Sequence, residues 1–135
     1  MKGALYAMSD FQKLSETEME VMQVIWAFHH PITSGELLDI FARDKGKRWK
    51  GQTIATFLSR LVEKGVLISI KQSRGNIYKP RISPKEYKSQ QAKSVLEILY
   101  EGSIKNFLTT LYDGKDLTKD EMAELGRWFA DKAGE

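Results

Sequence analysis

The chain contains no cysteine. Disulfides, thiolate metal sites and cysteine nucleophiles are thereby excluded, and the lack of disulfides fits a reducing compartment. Histidine is nearly as scarce, with a single adjacent pair at His29 and His30. Neighbours on a helix point about 100° apart, so the pair does not converge on one ion, and a helix end favoured by the macrodipole accounts for it better. Long apolar runs are also missing. Nothing approaches the roughly 18 residues of a spanning helix, and the stretch from Met1 to Ala7 is too short in its apolar part for a secretory signal. Residues 1–10 are expected to form a disordered leader, and the protein is expected to be cytoplasmic. The carboxylates show no paired spacing, there is no glycine-rich phosphate cradle, and no nucleophile sits beside a base, so the chain is not read as an enzyme. No catalytic residue, metal ligand or cofactor is assigned.

Acids, finally, are almost missing from the middle of the chain. Residues 43–81 hold eleven bases (Arg43, Lys45, Lys47, Arg48, Lys50, Arg60, Lys64, Lys71, Arg74, Lys79 and Arg81) against only Asp44 and Glu63, a local balance of +9. Residues 83–135 hold eight bases and ten acids, so the whole-chain charge of +3 conceals a polarised molecule. A one-sided basic segment is the electrostatic footprint of polyanion binding. The other reading is a solvated lysine-rich surface, but ordinary surfaces intersperse both signs. With 135 residues, 41% of them hydrophobic and 29% charged, the chain suffices for one domain with a proper core, or for a small domain plus an appendage.

The pattern inside the basic segment supplies an element to carry that charge. Ile54, Phe57, Leu58 and Leu61 recur at i, i+3, i+4 and i+7, one buried stripe of an amphipathic helix. The opposite face offers Gln52, Thr53, Thr56, Ser59, Arg60 and Glu63, all but the last able to donate hydrogen bonds to phosphates or base edges. Gly65 stands where a left-handed C-terminal glycine is expected. A hairpin follows, Leu67 to Lys71 and Asn76 to Arg81, turning at Gln72-Ser73-Arg74-Gly75 with a basic tip. Pro80 cannot donate to a ladder, so it faces an edge or ends its strand. A polar-faced helix followed by a basic two-stranded hairpin is what a winged helix-turn-helix reader of DNA needs.

The flanks agree. Ser15 and Glu18 form a capping box for a first core helix through Val21, Met22, Ile25 and Trp26, with Leu14 and Met19 as its staple and an end by His30, before Pro31. Ile32 is a candidate for a one- or two-residue strand. Thr33 and Glu36 cap a short second helix ending near Arg43, and Trp49 is placed to pack on it. Lys50, at the start of the third helix, cannot cap; a phosphate or water would satisfy the open amides there. Ser83-Pro84-Lys85-Glu86 opens a helical, acidic remainder in which Gly102 separates two helices and Thr118 and Glu121 cap a last one. Val95, Leu96 and Leu99 form one stripe, Ile104, Phe107, Leu108 and Leu111 a second, and Leu125 and Phe129 belong to a third. Helices this few seldom make an independent core. Dimerisation through these stripes is one solution and packing on the N-terminal domain the other.

Taken together, these residues resemble the penicillinase repressor family, which includes the methicillin-resistance and copper-responsive repressors. The likeness covers residues 11–131 and rests on Leu14-Ser15 and Glu20 to Trp26, on Trp49, Thr53 to Leu61 and Lys64-Gly65, on Tyr78, and on Leu99-Tyr100-Glu101-Gly102. It implies a mostly α fold with a small β-hairpin: a winged helix-turn-helix DNA-binding domain over 11–82 and a three-helix dimerisation domain over 83–135. The implied function is that of a homodimeric repressor on a palindromic DNA operator, relieved by a protease or sensor of unknown identity, with no membrane partner. Carried over by position, Lys50, Gln52, Thr53, Thr56 and Arg60 are the expected DNA contacts on the helix, with Lys71 and Arg74 on the wing. Ala55 departs from the arginine of the close penicillinase repressors, so the same operator is not expected, one bidentate contact being worth ~1–3 kcal/mol of discrimination. The cysteine-rich tail of the copper branch is absent. The Asn-Phe bond cleaved in the penicillinase branch aligns with Thr110-Leu111, while Asn106-Phe107 lies one helical turn earlier; cleavage is not carried over. The competing function is a winged-helix module for an acidic protein, which salt distinguishes: about six neutralised phosphates give a slope of log affinity on log salt near −5.

Overall fold

A computed structural model describes residues 11–135. The leader expected over residues 1–10 lies outside the described residues. Six helices and three short strands follow in the order α1 (Glu16–Ala27), β1 (Ile32–Thr33), α2 (Ser34–Asp44), α3 (Gly51–Glu63), β2 (Leu67–Gln72), β3 (Gly75–Pro80), α4 (Pro84–Tyr100), α5 (Ile104–Asp113) and α6 (Lys119–Ala133). The chain divides into two compact units, one running to Lys88 and the other from Ser89 to Glu135.

Local chemistry sets most helix starts. Ser15 Oγ accepts from the Glu18 amide while Glu18 Oε1 accepts from the Ser15 amide at 2.7 Å, and Thr33 with Glu36 and Thr118 with Glu121 repeat the arrangement. Ser83 and Glu86 do the same at the start of α4. Helix α1 ends at Ala27, three residues short of the expected His30. Proline restricts only the residue before it. Here Phe28 is already extended, its ring packed against the core. His29 and His30 therefore lie past the helix, and the macrodipole does not account for them. His30 instead meets the Phe28 ring edge-on at 4.9 Å.

The core of the first unit is built where three helices meet a small sheet. Val21, Met22 and Ile25 of α1, Leu37 and Phe41 of α2, and Ile54, Leu58 and Leu61 of α3 are fully or almost fully buried, together with Ile32, Val66 and Leu67. Each such side chain contributes roughly 1.5–3 kcal/mol of apolar burial, which is why the i, i+3, i+4, i+7 stripe of α3 faces inward. The hairpin is widened by β1 into an antiparallel sheet of order β1-β3-β2. Ile32 and Thr33 pair with Tyr78 and Ile77, and Ser69 pairs with Tyr78 on the other side. Pro80 sits at the strand end opposite Leu67, beyond the reach of β1, so its missing N–H breaks no bond to that strand.

An N-terminal strap closes this unit. Phe11 and Leu14 are buried, Phe11 stacks on Tyr87 at 5.7 Å, and the Tyr87 hydroxyl accepts the Leu14 amide at 2.8 Å. Trp26 lies 6.2 Å from the same ring and donates its indole N–H to the Ile82 carbonyl. The first turn of α4 thus folds with the winged helix.

The second unit is different in kind. Neither α5 nor α6 has a buried residue, although both are well formed and capped by Ser103 and Thr118. Left-handed Glu101 and Gly102 make the corner before α5.

Candidate nucleic-acid interface

Helix α3 is fastened at one end and open at the other. At its C-terminus Gly65 takes φ +84°, the Val66 amide donates to the Leu61 carbonyl and the Gly65 amide to Val62, a Schellman closure that only a left-handed residue permits. At its N-terminus Lys50 is the cap residue and makes no side-chain cap bond. The first-turn amides of Gly51 and Gln52 consequently lack intrahelical carbonyls and face outward with the positive end of the helix. Just before them Trp49 packs between Phe41 at 4.6 Å and Phe57 at 5.2 Å, a non-directional apolar contact between α2 and α3.

The polar face follows directly from burying the stripe. Gln52, Thr53, Thr56, Ser59 and Arg60 are exposed, as are Lys50, Lys71 and Arg74. All seven side chains expected to touch DNA therefore stand in solvent on α3, its cap and the hairpin. Thr56 has already spent its hydroxyl hydrogen on the Gln52 carbonyl at 3.0 Å, leaving its oxygen lone pairs and methyl group.

The hairpin turns through Ser73 and Arg74, with Gln72 paired to Gly75 and Gly75 at φ +114°. Alternation puts Ser69 and Lys71 on one face of the ladder, opposite Tyr78 and Asn76. That face closes a cleft of about 400 Å³ in the angle between α3 and the wing, lined by Ser59, Val62, Glu63, Ser69, Asn76 and Tyr78. Ser69 and Asn76 were absent from the expected contacts. The alternation of the hairpin was the signal for them, but which face meets α3 depends on how helix and sheet pack.

Tertiary structure also sorts the eleven cations of residues 43–81. Lys47 Nζ lies 2.6 Å from Glu20 and 5.6 Å from the Trp49 ring centroid, and Lys64 Nζ lies 2.6 Å from Glu18. Arg43 pairs with Asp44 at 3.2 Å, and Arg81 donates to the Gly65 carbonyl at 2.7 Å. The remaining seven, Lys45, Arg48, Lys50, Arg60, Lys71, Arg74 and Lys79, make no ion pair among the described residues. Burial acts to raise the Glu18 carboxyl, but hydrogen bonds from Lys64 and the Ser15 amide, with the lysine charge, outweigh it and hold the group below the usual glutamate range.

In the second unit the three stripes present apolar surface. Leu99 is 68% exposed, Ile104 56%, Phe129 46% and Val95 41%. Leu96, Phe107, Leu108, Leu111 and Leu125 are half-buried. Ile98, missed by the stripe count, is 75% exposed. Between α5 and α6 runs an apolar groove of about 520 Å³ lined by Ile104, Leu108, Tyr112, Met122, Leu125 and Phe129. Among the described residues there is no cluster of three or more metal-ligating side chains, and no helix is long and apolar enough to cross a membrane.

Comparison with known proteins gives this geometry a family. A penicillinase repressor of Bacillus licheniformis is 31% identical over 118 residues, covering 87% of this chain and 90% of that one. The methicillin resistance regulatory protein MecI of Staphylococcus aureus is 26% identical over 113 residues, covering 84% and 89%. Among solved structures, the B. licheniformis BlaI monomer in complex with the blaP half-operator is 36% identical, covering 58% of this chain and 92% of that one, with a TM-score of 0.47. The DNA-binding domain of the repressor BlaI gives the same identity and coverage with a TM-score of 0.49. A family profile described as penicillinase repressor matches residues 14–130, and the chain belongs to that family.

Proposed function

We infer that this protein is a transcriptional repressor that binds duplex DNA as a homodimer, each protomer reading one half of a palindromic operator. The observation that carries the reading is the grouping of unpaired cations and hydrogen-bonding side chains on α3 and the β2–β3 wing, in a chain whose relatives are named repressors. A module for an acidic protein partner has no comparable support. Helix α3 has the dimensions to enter a major groove, where Arg60 offers a bidentate fork to guanine and Gln52 a bidentate amide to adenine. Thr53 and Thr56 present hydroxyl oxygens and methyl groups, the latter suited to thymine. Lys50, with the open amides beside it, and Lys71 and Arg74 on the wing fit phosphates, which position the protein without specifying sequence.

In this reading residues 11–82, joined by the first turn of α4 as far as Lys88, form the DNA-binding domain, and the rest of residues 83–135 the dimerisation domain. Support for the second assignment is the apolar surface of α4, α5 and α6: Val95, Leu96, Leu99, Ile104, Phe107, Leu108, Leu111, Leu125 and Phe129 lie exposed or half-buried, and a second copy would cover them. Such a repressor acts in the cytoplasm, where the DNA is, and a protease or sensor would relieve it. The test is selection from a random duplex pool followed by binding to the enriched sequence across salt concentrations. An enriched inverted repeat bound with steep salt dependence is expected; no enrichment, or affinity indifferent to salt, overturns the reading.

A further inference from the structure

Apolar packing holds α3 against the core through Ile54, Leu58 and Leu61, but such burial is non-directional and leaves a helix some freedom to tilt or slide. Directional bonds fix that freedom, and among the described residues those that tie α3 to other elements gather at its C-terminal end. The Lys64 carbonyl accepts the Gln12 amide of the N-terminal strap at 2.9 Å, and the Gly65 carbonyl accepts the Arg81 guanidinium at 2.7 Å. Lys64, the C-terminal cap residue of α3, reaches Glu18 Oε1 at 2.6 Å. That same oxygen accepts the Ser15 amide at 2.7 Å, so one carboxylate joins the start of α1 to the end of α3. Glu18 is only 2% exposed, the single charged residue buried among those described.

We propose that Glu18 and Lys64 are positioning residues for sequence reading: their partly buried ion pair, with the Gln12 strap bond, sets the angle at which α3 presents its polar face. The inference rests on the DNA-binding reading above and deepens it, since neither residue is among the expected DNA contacts. The geometry makes the angle matter. A helix of 13 residues is about 20 Å long, so a swing of about 10° about its anchored end moves the opposite turn by roughly 3 Å. Hydrogen bonds from Gln52 or Thr53 to base edges tolerate only a few tenths of an ångström. Phosphate attraction is long-ranged and indifferent to such a shift. Loss of the pair therefore falls on recognition of the correct sequence, not on general attraction to DNA.

Two substitutions isolate the pair. Glu18→Gln keeps an acceptor for the Ser15 amide, because glutamine also completes a capping box, and removes only the charge facing Lys64. Lys64→Met keeps the aliphatic stem and removes the ammonium. The full chain is tested on the duplex that the unaltered protein enriches from a random pool and on an unrelated duplex of equal length. The ratio of the two affinities is the readout, because partial unfolding lowers both affinities alike and cancels. We expect each substitution to lower the ratio about tenfold, the discrimination of roughly one well-made base contact. The double variant should be no worse than either single one, as for residues acting through one bond, and Lys64→Arg should restore most of the ratio. An unchanged ratio in both single variants, or independent additive losses, overturns the inference while leaving DNA binding intact. Failure of the unaltered protein to enrich any duplex overturns the DNA-binding reading, and this inference with it.

Discussion

Salt dependence separates the charge written in the sequence from the charge the folded protein can offer to DNA. Eleven bases in residues 43–81, all neutralising phosphates, would give a slope of log affinity on log salt near −10, at about −0.9 per phosphate. In the fold, Lys47 and Lys64 are bound to carboxylates, Arg43 to its neighbour Asp44, and Arg81 to a backbone carbonyl. The remaining seven cap the slope for one winged helix on a duplex carrying a single half-site at about −6, a several-thousandfold loss of affinity from about 50 to about 200 mM salt. Arg74→Ala, at the exposed wing tip, is expected to reduce the slope by about 0.9. Lys47→Ala is expected to leave it unchanged, because Glu20 already holds that ammonium at 2.6 Å. Fluorescence anisotropy over a salt series reads both. A slope near −10 for the unaltered protein, or a reduction of about 0.9 on replacing Lys47, would refute the assignment of these cations.

Three further outcomes test other parts of the molecule. Tyr87→Phe removes the hydroxyl that accepts the buried Leu14 amide and is expected to cost about 1–3 kcal/mol in urea unfolding; a change within error would show that the strap finds another partner. Glu18 is held below its unfolded value, so its contribution is fully present above about pH 4.3 and is lost as pH falls through the lower folded value. The stabilities of the unaltered protein and Glu18→Gln should accordingly converge in acid and differ at neutral pH, whereas a constant difference across an acid titration would contradict the pairing. Leu99→Glu, at a site 68% exposed in one copy, should weaken self-association at least a hundredfold by sedimentation, since a carboxylate buried without a partner costs several kcal/mol; an unchanged dimer would remove Leu99 from the interface.

Much of the fold was legible because its signals are local. Ser15 with Glu18, Thr33 with Glu36 and Thr118 with Glu121 announce helix starts through bonds spanning three residues, and Gly65 announces a stop because only its left-handed turn closes α3. The polar face of α3 was legible for the same reason, a fixed period of 3.6 residues. The end of α1 was not. Phe28 leaves the helix to place its ring against the core, a choice made by partners distant in sequence. The wing face that meets α3 was likewise hidden, since Ser69 and Asn76 alternate with their neighbours but only packing says which side faces the helix.

By itself, then, the sequence determined where the elements lie, which stripe of α3 is buried, and that positive charge gathers in the middle third of the chain. Period, capping chemistry and composition act over a few residues and need no knowledge of the whole. Which of those charges stay available, and what holds α3 in place, was decided only by tertiary structure. Lys64 and Glu18 stand 46 residues apart, Lys47 and Glu20 27 apart, and only the packing of α1 beside the end of α3 and the α2–α3 connection turns two cations of the basic segment into internal ties.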